Sequence, residues 1–365
     1  MVFLSGPRQT GKTTLAKSFL QKNPGLYLNW DDVDDRRKIL ARDWIDEERL
    51  LVIDELHKYS RWKNFLKGTY DTQNHIHQFL VTGSARLDTF KKGQDSMMGR
   101  FYSWRLHPLC LSELKNDFAI KSTESALERL LRVGGFPEPF FAKNDIAVKR
   151  WRKERTQAVF RQDIRELENI RDLSLLEIFH DTLTERVSSG IVVSNIARDL
   201  EIAPKTGKNW LELLERSFAL FLIRPYSKGL SKAILKTPKV YFYDNGEVRG
   251  DDGARFENLV ACHLLKRIQF LEDSKGDRYR LCYLEDKQKH SVDFGIVKNN
   301  RLVCLLEVKL SDETISPSLV YFRERLGVET CIQLVYSAKR SYRKNGVWVA
   351  SAAEWLSRPL EEEFW

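Results

Sequence analysis

The chain is poor in several features, and each shortage narrows its class. No long uncharged apolar run occurs in its 365 residues, so the sequence predicts no membrane-spanning helix. The N-terminus lacks the basic, apolar and small-residue sections of a secretory signal. Cysteine is scarce: Cys110, Cys262, Cys282, Cys304 and Cys331 are the five present, with no CxxC pair. Most lie in apolar surroundings, so they read as reduced core thiols of a cytoplasmic protein. Charge, in contrast, is plentiful. Lys and Arg number 60 against 51 Asp and Glu, a net charge of +9. That balance favours a polyanionic partner such as DNA without identifying one, and a basic soluble protein with no such partner is the plain alternative. Hydrophobic residues make up 42%, enough for packed cores, and the length predicts two or three domains.

The opening stretch carries the strongest chemical signal. Gly6-Pro7-Arg8-Gln9-Thr10-Gly11-Lys12-Thr13 fits GxxxxGK[ST]. The glycines let the backbone curl so that successive N–H groups face phosphates. Lys12 reaches the outer phosphates, and the Thr13 hydroxyl is placed to ligate Mg²⁺. Val2 to Ser5 reads as a short buried strand. Thr14 to Gln21 reads as an amphipathic helix with Leu15, Ala16, Phe19 and Leu20 apolar, its N-terminus favouring anions. A chance match in a Gly-containing turn is the alternative, and the flanking strand and helix argue against it. "RLLVIDELHKY" ends its apolar run in Asp54-Glu55. An acidic pair at the end of a buried strand matches a Walker B element, with Asp54 holding Mg²⁺ and Glu55 orienting or deprotonating the attacking water. "QFLVTGSAR" ends in Thr82-Gly83-Ser84, where a small hydroxyl such as Ser84 either senses the outer phosphate or is a turn residue. Strands near 2–5, 26–30, 50–54 and 78–83 alternate with helical stretches, the rhythm of a parallel sheet with helices on both faces.

Taken together, "GPRQTGKTTL", "LVIDELHKYSRWKNFLKG", "VTGSARLD", "GQDSMMGR", "RLHPLCLSEL" and "GGFPEP" resemble a family of prokaryotic AAA-type ATPases with a C-terminal domain of unknown function. The resemblance continues through "RPYSKGL", "PKVYFYDNG", "ARFENLV", "VDFGIV" and "LLEVKLS". It implies ATP binding and hydrolysis. Family members usually carry a further segment before the phosphate loop. They often have an arginine in the strand before "VDF" and an acidic residue just before its Val-Asp pair, where this chain has Glu285 and Ser291. Arg86 and Arg100 are candidate charge stabilisers. An arginine finger acts either from within the chain or across a subunit interface of a homo-oligomer, and a solvated or ion-paired arginine is the alternative for each.

The middle of the chain places six basic residues between Lys149 and Arg161 with few apolar ones, which predicts a solvated helix between domains. "VSNIARDLEIAPKTGKNWLELLERSFALFLIRPY" reads as a winged helix. Ser194 caps a helix that carries Ile196, Ala197 and Leu200 inward, Pro204 opens the next helix, and "FALFLI" supplies the wing. Lys205, Thr206, Lys208 and Asn209 face a DNA groove if this is a reading head; a lid or subunit contact is the other use.

"RLVCLLEVKL" presents Glu307 and Lys309 on one strand face. Asp293 ends the previous strand, and Glu257 on "FENLVACHLL" approaches the same cluster. Glu…Asp…Glu-x-Lys is the arrangement of restriction-endonuclease-like folds, in which carboxylates hold a divalent ion and the lysine polarises water. A hairpin with an ion pair, or a nuclease fold kept as a scaffold, are the alternatives. The expected fold class is α/β: a P-loop NTPase (AAA-like) parallel sheet over 1–145, a helical linker and all-α winged helix over 146–228, and a restriction-endonuclease-like domain over 229–365. The expected activity is Mg²⁺-dependent hydrolysis of ATP, coupled to DNA or protein remodelling. A nucleotide-gated DNA nuclease and a non-catalytic nucleotide-switched DNA-binding module are the alternatives from other classes.

Overall fold

The apolar runs foreseen at the start of the chain pair side by side. A computed structural model describes residues 1–83, 97, 99–164, 172–227, 237–338 and 340–363. Its first sheet has five strands: β1 (Val2–Ser5), β2 (Gly25–Asn29), β3 (Leu50–Asp54), β4 (Gln78–Gly83) and β5 (Tyr102–Arg105). They lie in the order β2-β3-β4-β1-β5, and every pairing is parallel. Alternate residues serve opposite faces. Leu4, Val52 and Leu80 pack with Ala16 of α1 (Lys12–Leu20). Phe3, Ile53 and Val81 pack with Trp62 and Leu66 of α3 (Trp62–Gln73), which follows α2 (Val33–Ala41). Phe3 is 2% exposed, and burying a side chain of this kind contributes about 1.5–3 kcal/mol. The helix after the phosphate loop is less amphipathic than its sequence suggests. Ala16 and the half-buried Leu20 are its apolar contacts with the sheet, whereas Leu15 and Phe19 are exposed at 37% and 47%.

The chain divides into two units. One comprises Met1–His107, Trp151–Arg171 and Arg216–Phe218; the other comprises Pro108–Arg150, Asp172–Glu215 and Ala219–Trp365. The helices that follow the first sheet are α4 (Leu111–Asn116), α5 (Thr123–Val133), α6 (Pro137–Phe141), α7 (Asp145–Ala158), α8 (Leu173–Thr184), α9 (Val193–Asp199) and α10 (Pro204–Arg216). A π-helical turn, Val159–Ile164, continues from α7. The basic stretch expected to be solvated is only partly so. Val148, Trp151 and Arg155 recur at helical spacing and are buried, and the Arg155 guanidinium lies 5.8 Å from the Trp151 ring centre.

The second unit holds an eight-stranded mixed sheet. Its strands are β6 (Leu220–Pro225), β7 (Lys239–Phe242), β8 (Tyr279–Glu285), β9 (Ser291–Lys298), β10 (Arg301–Lys309), β11 (Thr330–Val335), β12 (Tyr342–Lys344) and β13 (Val347–Ser351). The order is β12-β13-β11-β10-β9-β8-β6-β7. Two details of the winged-helix reading are corrected here. Helix α9 begins at Val193 with Val192 at its cap position, so Ser194 lies inside the helix. The strand read as a wing is β6, which pairs antiparallel with β7 and parallel with β8 and so belongs to the large sheet. Pro204 does open α10, and Trp210, Leu211, Leu213 and Leu214 are its buried face.

Helix α11 (Asp252–Lys275) runs for 24 residues. Its buried Asn258 accepts a hydrogen bond from the Phe242 N–H at 2.8 Å and donates to the Phe242 carbonyl at 3.0 Å. The side chain thus gives the edge strand β7 the partner that a further strand would have supplied. Helices α12 (Pro317–Leu326) and α13 (Ala352–Leu356) complete the unit. All five cysteines are free thiols, four of them buried. No helix among the described residues is long and apolar enough to cross a membrane.

Gly134, which ends α5, is at φ 81. A β-carbon there would overlap the Asp244 carboxylate, which accepts the Gly246 N–H at 3.0 Å. Gly134→Ala should therefore destabilise the protein by about 1–3 kcal/mol. Denaturant titration measures this, and an unchanged midpoint would contradict the close approach.

Candidate nucleotide site

The phosphate loop leaves β1 under a tight constraint. Gly6 has φ 151, and a β-carbon on it would run into the Leu106 carbonyl just beyond β5. Gln9 at φ 66 and Gly11 at φ 95 complete the curl. The Thr10 hydroxyl donates to the Pro7 carbonyl at 3.0 Å and staples the turn. Gly11 then occupies the N-cap of α1 without a side-chain cap, which leaves that helix end to an anion.

Lys12 is buried, and its ammonium donates to the carbonyls of Gly6 at 3.0 Å and Pro7 at 2.7 Å. Burial lowers its pKa to about 8. Arg8 points elsewhere: its guanidinium forms a two-pronged pair with Asp163 of the π-helical turn, at 2.9 and 3.2 Å. Thr14 is exposed on the first turn of α1, and Thr13 beside it is half-buried.

The acidic strand meets the loop directly. Asp54 at the end of β3 is 3% exposed, and its carboxylate accepts three hydroxyl hydrogen bonds. Thr13 donates to Oδ2 at 2.7 Å and Tyr27 to the same oxygen at 2.9 Å. Thr82, its cross-strand neighbour, donates to Oδ1. Hydrogen bonds to a charged group are worth about 1.5–3 kcal/mol each, so this set offsets much of the cost of burying the carboxylate. The Thr13 hydroxyl beside the Asp54 carboxylate is an all-oxygen pair of hard donors, which fits Mg²⁺.

Glu55 follows in a left-handed conformation, φ 58, which turns it off the strand. Its Oε2 is buried with no hydrogen-bond partner among the described residues. It faces His57 at 3.6 Å and Lys58 at 3.7 Å. Burial raises the Glu55 carboxyl to about 7, against the opposing pull of Lys58. Burial and Lys58 together push His57 down to about 4, so that ring is neutral near pH 7.

Arg100 is set apart from this group. It makes a two-pronged pair with Asp71 of α3, at 2.7 and 3.0 Å, just before the start of β5. In the parallel register Val2 lies beside Tyr102 and Ser5 beside Arg105. At a rise of about 3.3 Å per residue, Arg100 is roughly 20 Å along the sheet from the loop. Ser84 and Arg86 lie outside the described residues.

A second cluster forms in the other unit, where β9 and β10 are antiparallel with Leu306 opposite Phe294. Asp293 is the third residue of β9 and not its last. The hairpin carries the end of β10 back to the start of β9 and so brings Asp293 beside Glu307. Asp293 accepts the Val308 N–H at 2.9 Å, and Glu307 pairs with Lys309 at 2.9 Å. Glu257 of α11 accepts from the Tyr241 hydroxyl at 2.6 Å. Lys239 lies 3.3 Å from Glu257 and 4.0 Å from Asp293. Burial, then the Asp293 charge, raises both Glu257 and Glu307 to about 7. Among the described residues no three ligating side chains converge closely enough to hold a metal ion. Ser291 and Glu285 pair across β9 and β8, and Lys205, Lys208 and Asn209 are exposed on the first turns of α10, with Thr206 half-buried.

Tyr27, Asp163, Lys239 and Tyr241 had no local signal. Each acts through a partner distant in sequence, and each residue type fits an ordinary strand or helix position.

Comparison with known proteins agrees with the geometry of the first site. Residues 1–115 match the family described as an AAA domain, which supports an AAA-type P-loop ATPase character for this part of the chain. Residues 124–249 and 252–355 match two domains of unknown function, DUF8612 and DUF4143. Among relatives, "Uncharacterized protein MJ1544" of Methanocaldococcus jannaschii is 24% identical over 330 residues, covering 81% of this chain and 72% of the relative. "Uncharacterized protein MJ1637" of the same organism is 25% identical over 380 residues, covering 86% and 76%. "Uncharacterized protein Rv2008c" of Mycobacterium tuberculosis is 25% identical over 257 residues, 67% of this chain and 54% of the relative. The chain therefore spans about half the length of the mycobacterial relatives it matches.

The raised Glu307 carboxyl has a consequence for stability. The folded chain holds that proton more tightly than the unfolded chain, whose value is near 4.5. Wild-type stability from this group is thus present at low pH and lost as pH rises through about 7. Glutamine does not titrate. The stability of Glu307→Gln relative to wild type should therefore rise between about pH 5 and pH 8. Thermal melts across that range measure it, and parallel profiles for the two proteins would refute the assignment.

Proposed function

We propose that the first unit binds ATP and hydrolyses it to ADP and phosphate. The observation that carries this reading is the Thr13 hydroxyl on the Asp54 carboxylate at 2.7 Å, directly beneath the curled loop and next to a carboxyl tuned to about 7. The curled backbone and the end of α1 receive the phosphates. Lys12 exchanges its two loop carbonyls for phosphate oxygens. Thr13 and Asp54 would hold Mg²⁺, which when bound neutralises charge on the phosphate oxygens. Glu55 orients the attacking water and takes its proton, for which a value near the working pH is suited. Lys12 and Asp54 are buried, so their charges are screened less than they would be in bulk water.

Lys12→Ala should abolish ATP binding, and Glu55→Gln should keep binding and lose turnover. Calorimetry and phosphate release check both, and unchanged ATP affinity in Lys12→Ala would overturn the assignment. In wild type, kcat/KM should rise with pH through about 7 as Glu55 loses its proton, and fall above about 8 as Lys12 becomes neutral. Lys58→Met removes the charge that opposes the Glu55 shift, so the acid limb should move to higher pH.

Coupling to DNA is the finer reading, supported by the net charge of +9 and the exposed Lys205, Lys208 and Asn209. Turnover measured with and without duplex DNA, in wild type and Glu55→Gln, tests it; equal rates at low salt would remove the coupling. The distance of Arg100 from the loop argues against a role within its own subunit and leaves action across a subunit interface as the version to test. Arg100→Ala should then bind ATP without turning it over, and mixing it with Lys12→Ala should restore some turnover. An inert mixture would exclude that role. Metal-dependent cleavage by the second unit is the alternative reading. It is favoured by the buried Glu307 Oε2, which has no hydrogen-bond partner among the described residues. It stands only if wild type cuts DNA with Mn²⁺ and Glu307→Gln does not.

A further inference from the structure

Asp54 is served by one hydroxyl that the loop motif does not explain. Thr13 belongs to the phosphate loop, and Thr82 is the direct cross-strand neighbour of Asp54 on β4. Tyr27 is neither. It lies on β2 opposite Val52, two positions before the residue opposite Asp54, and its phenol reaches diagonally to Asp54 Oδ2 at 2.9 Å. The other end of the contact is also fixed. The Lys17 ammonium of α1 lies 4.0 Å from the centre of the Tyr27 ring, a cation–π distance. Tyr27 therefore connects the helix that follows the phosphate loop to the acidic strand, by its ring face on one side and its hydroxyl on the other.

We propose that Tyr27 is a positioning residue of the nucleotide–metal site, its O–H fixing the orientation in which Asp54 offers Oδ2. This rests on the ATP-site reading given above and adds a residue to it. A carboxylate turns about its last bond over a broad range, and each donor removes part of that freedom. Of the three donors, the Thr13 hydroxyl is the one whose motif assigns it to the metal. Tyr27 and Thr82 are left to hold the carboxylate, one on each oxygen. A site held in this way binds a cation that demands near-octahedral geometry without first ordering its own ligand. Phenylalanine would keep the ring and its contact with Lys17 and remove only the O–H.

The test reads metal binding directly, in protein that cannot turn over. In a Glu55→Gln background saturated with ATP, Mn²⁺ affinity is measured from the electron paramagnetic resonance signal of the free ion. Tyr27→Phe should weaken Mn²⁺ binding about tenfold, which is 1.4 kcal/mol, while ATP affinity in EDTA stays unchanged. Lys17→Met, which spares the phenol, should leave Mn²⁺ affinity unchanged; weakening equal to that of Tyr27→Phe would assign the effect to packing and overturn the proposal. If Asp54→Asn weakens Mn²⁺ binding and Tyr27→Phe does not, the role of Tyr27 is lost while the ATP-site reading stands. If Asp54→Asn also leaves Mn²⁺ affinity intact, both fail.

Discussion

Gly6 has no room for a β-carbon, and the first unit is arranged around that fact. The Leu106 carbonyl closes the space beside it, because β5 runs parallel to β1 on one side while β4 does so on the other. The chain leaving β1 must turn away from its neighbours at once. The turn it takes presents the backbone of the loop and delivers Gly11 to the start of α1. Lys12 and Thr13 then fall on the first turn of the helix, close to the end of β3. A bulkier residue at position 6 would displace the loop before any polar contact in the site could form.

Charge is balanced differently in the two clusters. Asp54 is stabilised by neutral hydroxyls, an arrangement that leaves its negative charge available to a cation. Glu257 and Glu307 instead sit with ammonium groups, Lys239 and Lys309, and both carboxyls are pushed up to about 7. Burial of ion pairs in this way rarely adds stability and often fixes geometry. The first cluster is prepared for an added positive charge. The second already contains much of its own.

Sequence made the phosphate loop legible because its physics is local: the glycines, the lysine and the threonine lie within eight positions and need only the strand before and the helix after. Asp54 and Glu55 were legible for the same reason, as polar residues ending an apolar run. Tyr27 was not, since a tyrosine in a strand reads as packing until its neighbour across the sheet is known. Lys239 stayed hidden because Glu257 and Asp293 lie on other elements, 18 and 54 positions further along the sequence. Strand β6 was recognised as a strand and given the wrong partners, because a run of buried residues shows that it pairs and does not show with what. Ser194 was misplaced by two positions for a simpler reason: a serine near a helix start is a good cap only if the backbone reaches helical angles after it, and here they begin at Val193.

The pair between Arg8 and Asp163 joins residues 155 positions apart. The AAA-type match stops at residue 115, so an excised fragment ending there would keep every motif of the phosphate site and lose the Asp163 side of this pair. During synthesis the five-stranded sheet is complete by residue 105, and its loop waits for a carboxylate that emerges from the ribosome some sixty residues later. The first unit is thus not a contiguous module. Its opening and its closing pieces bracket the whole of the intervening chain, and grafting it or trimming it at the sequence boundary would divide one folded body in two.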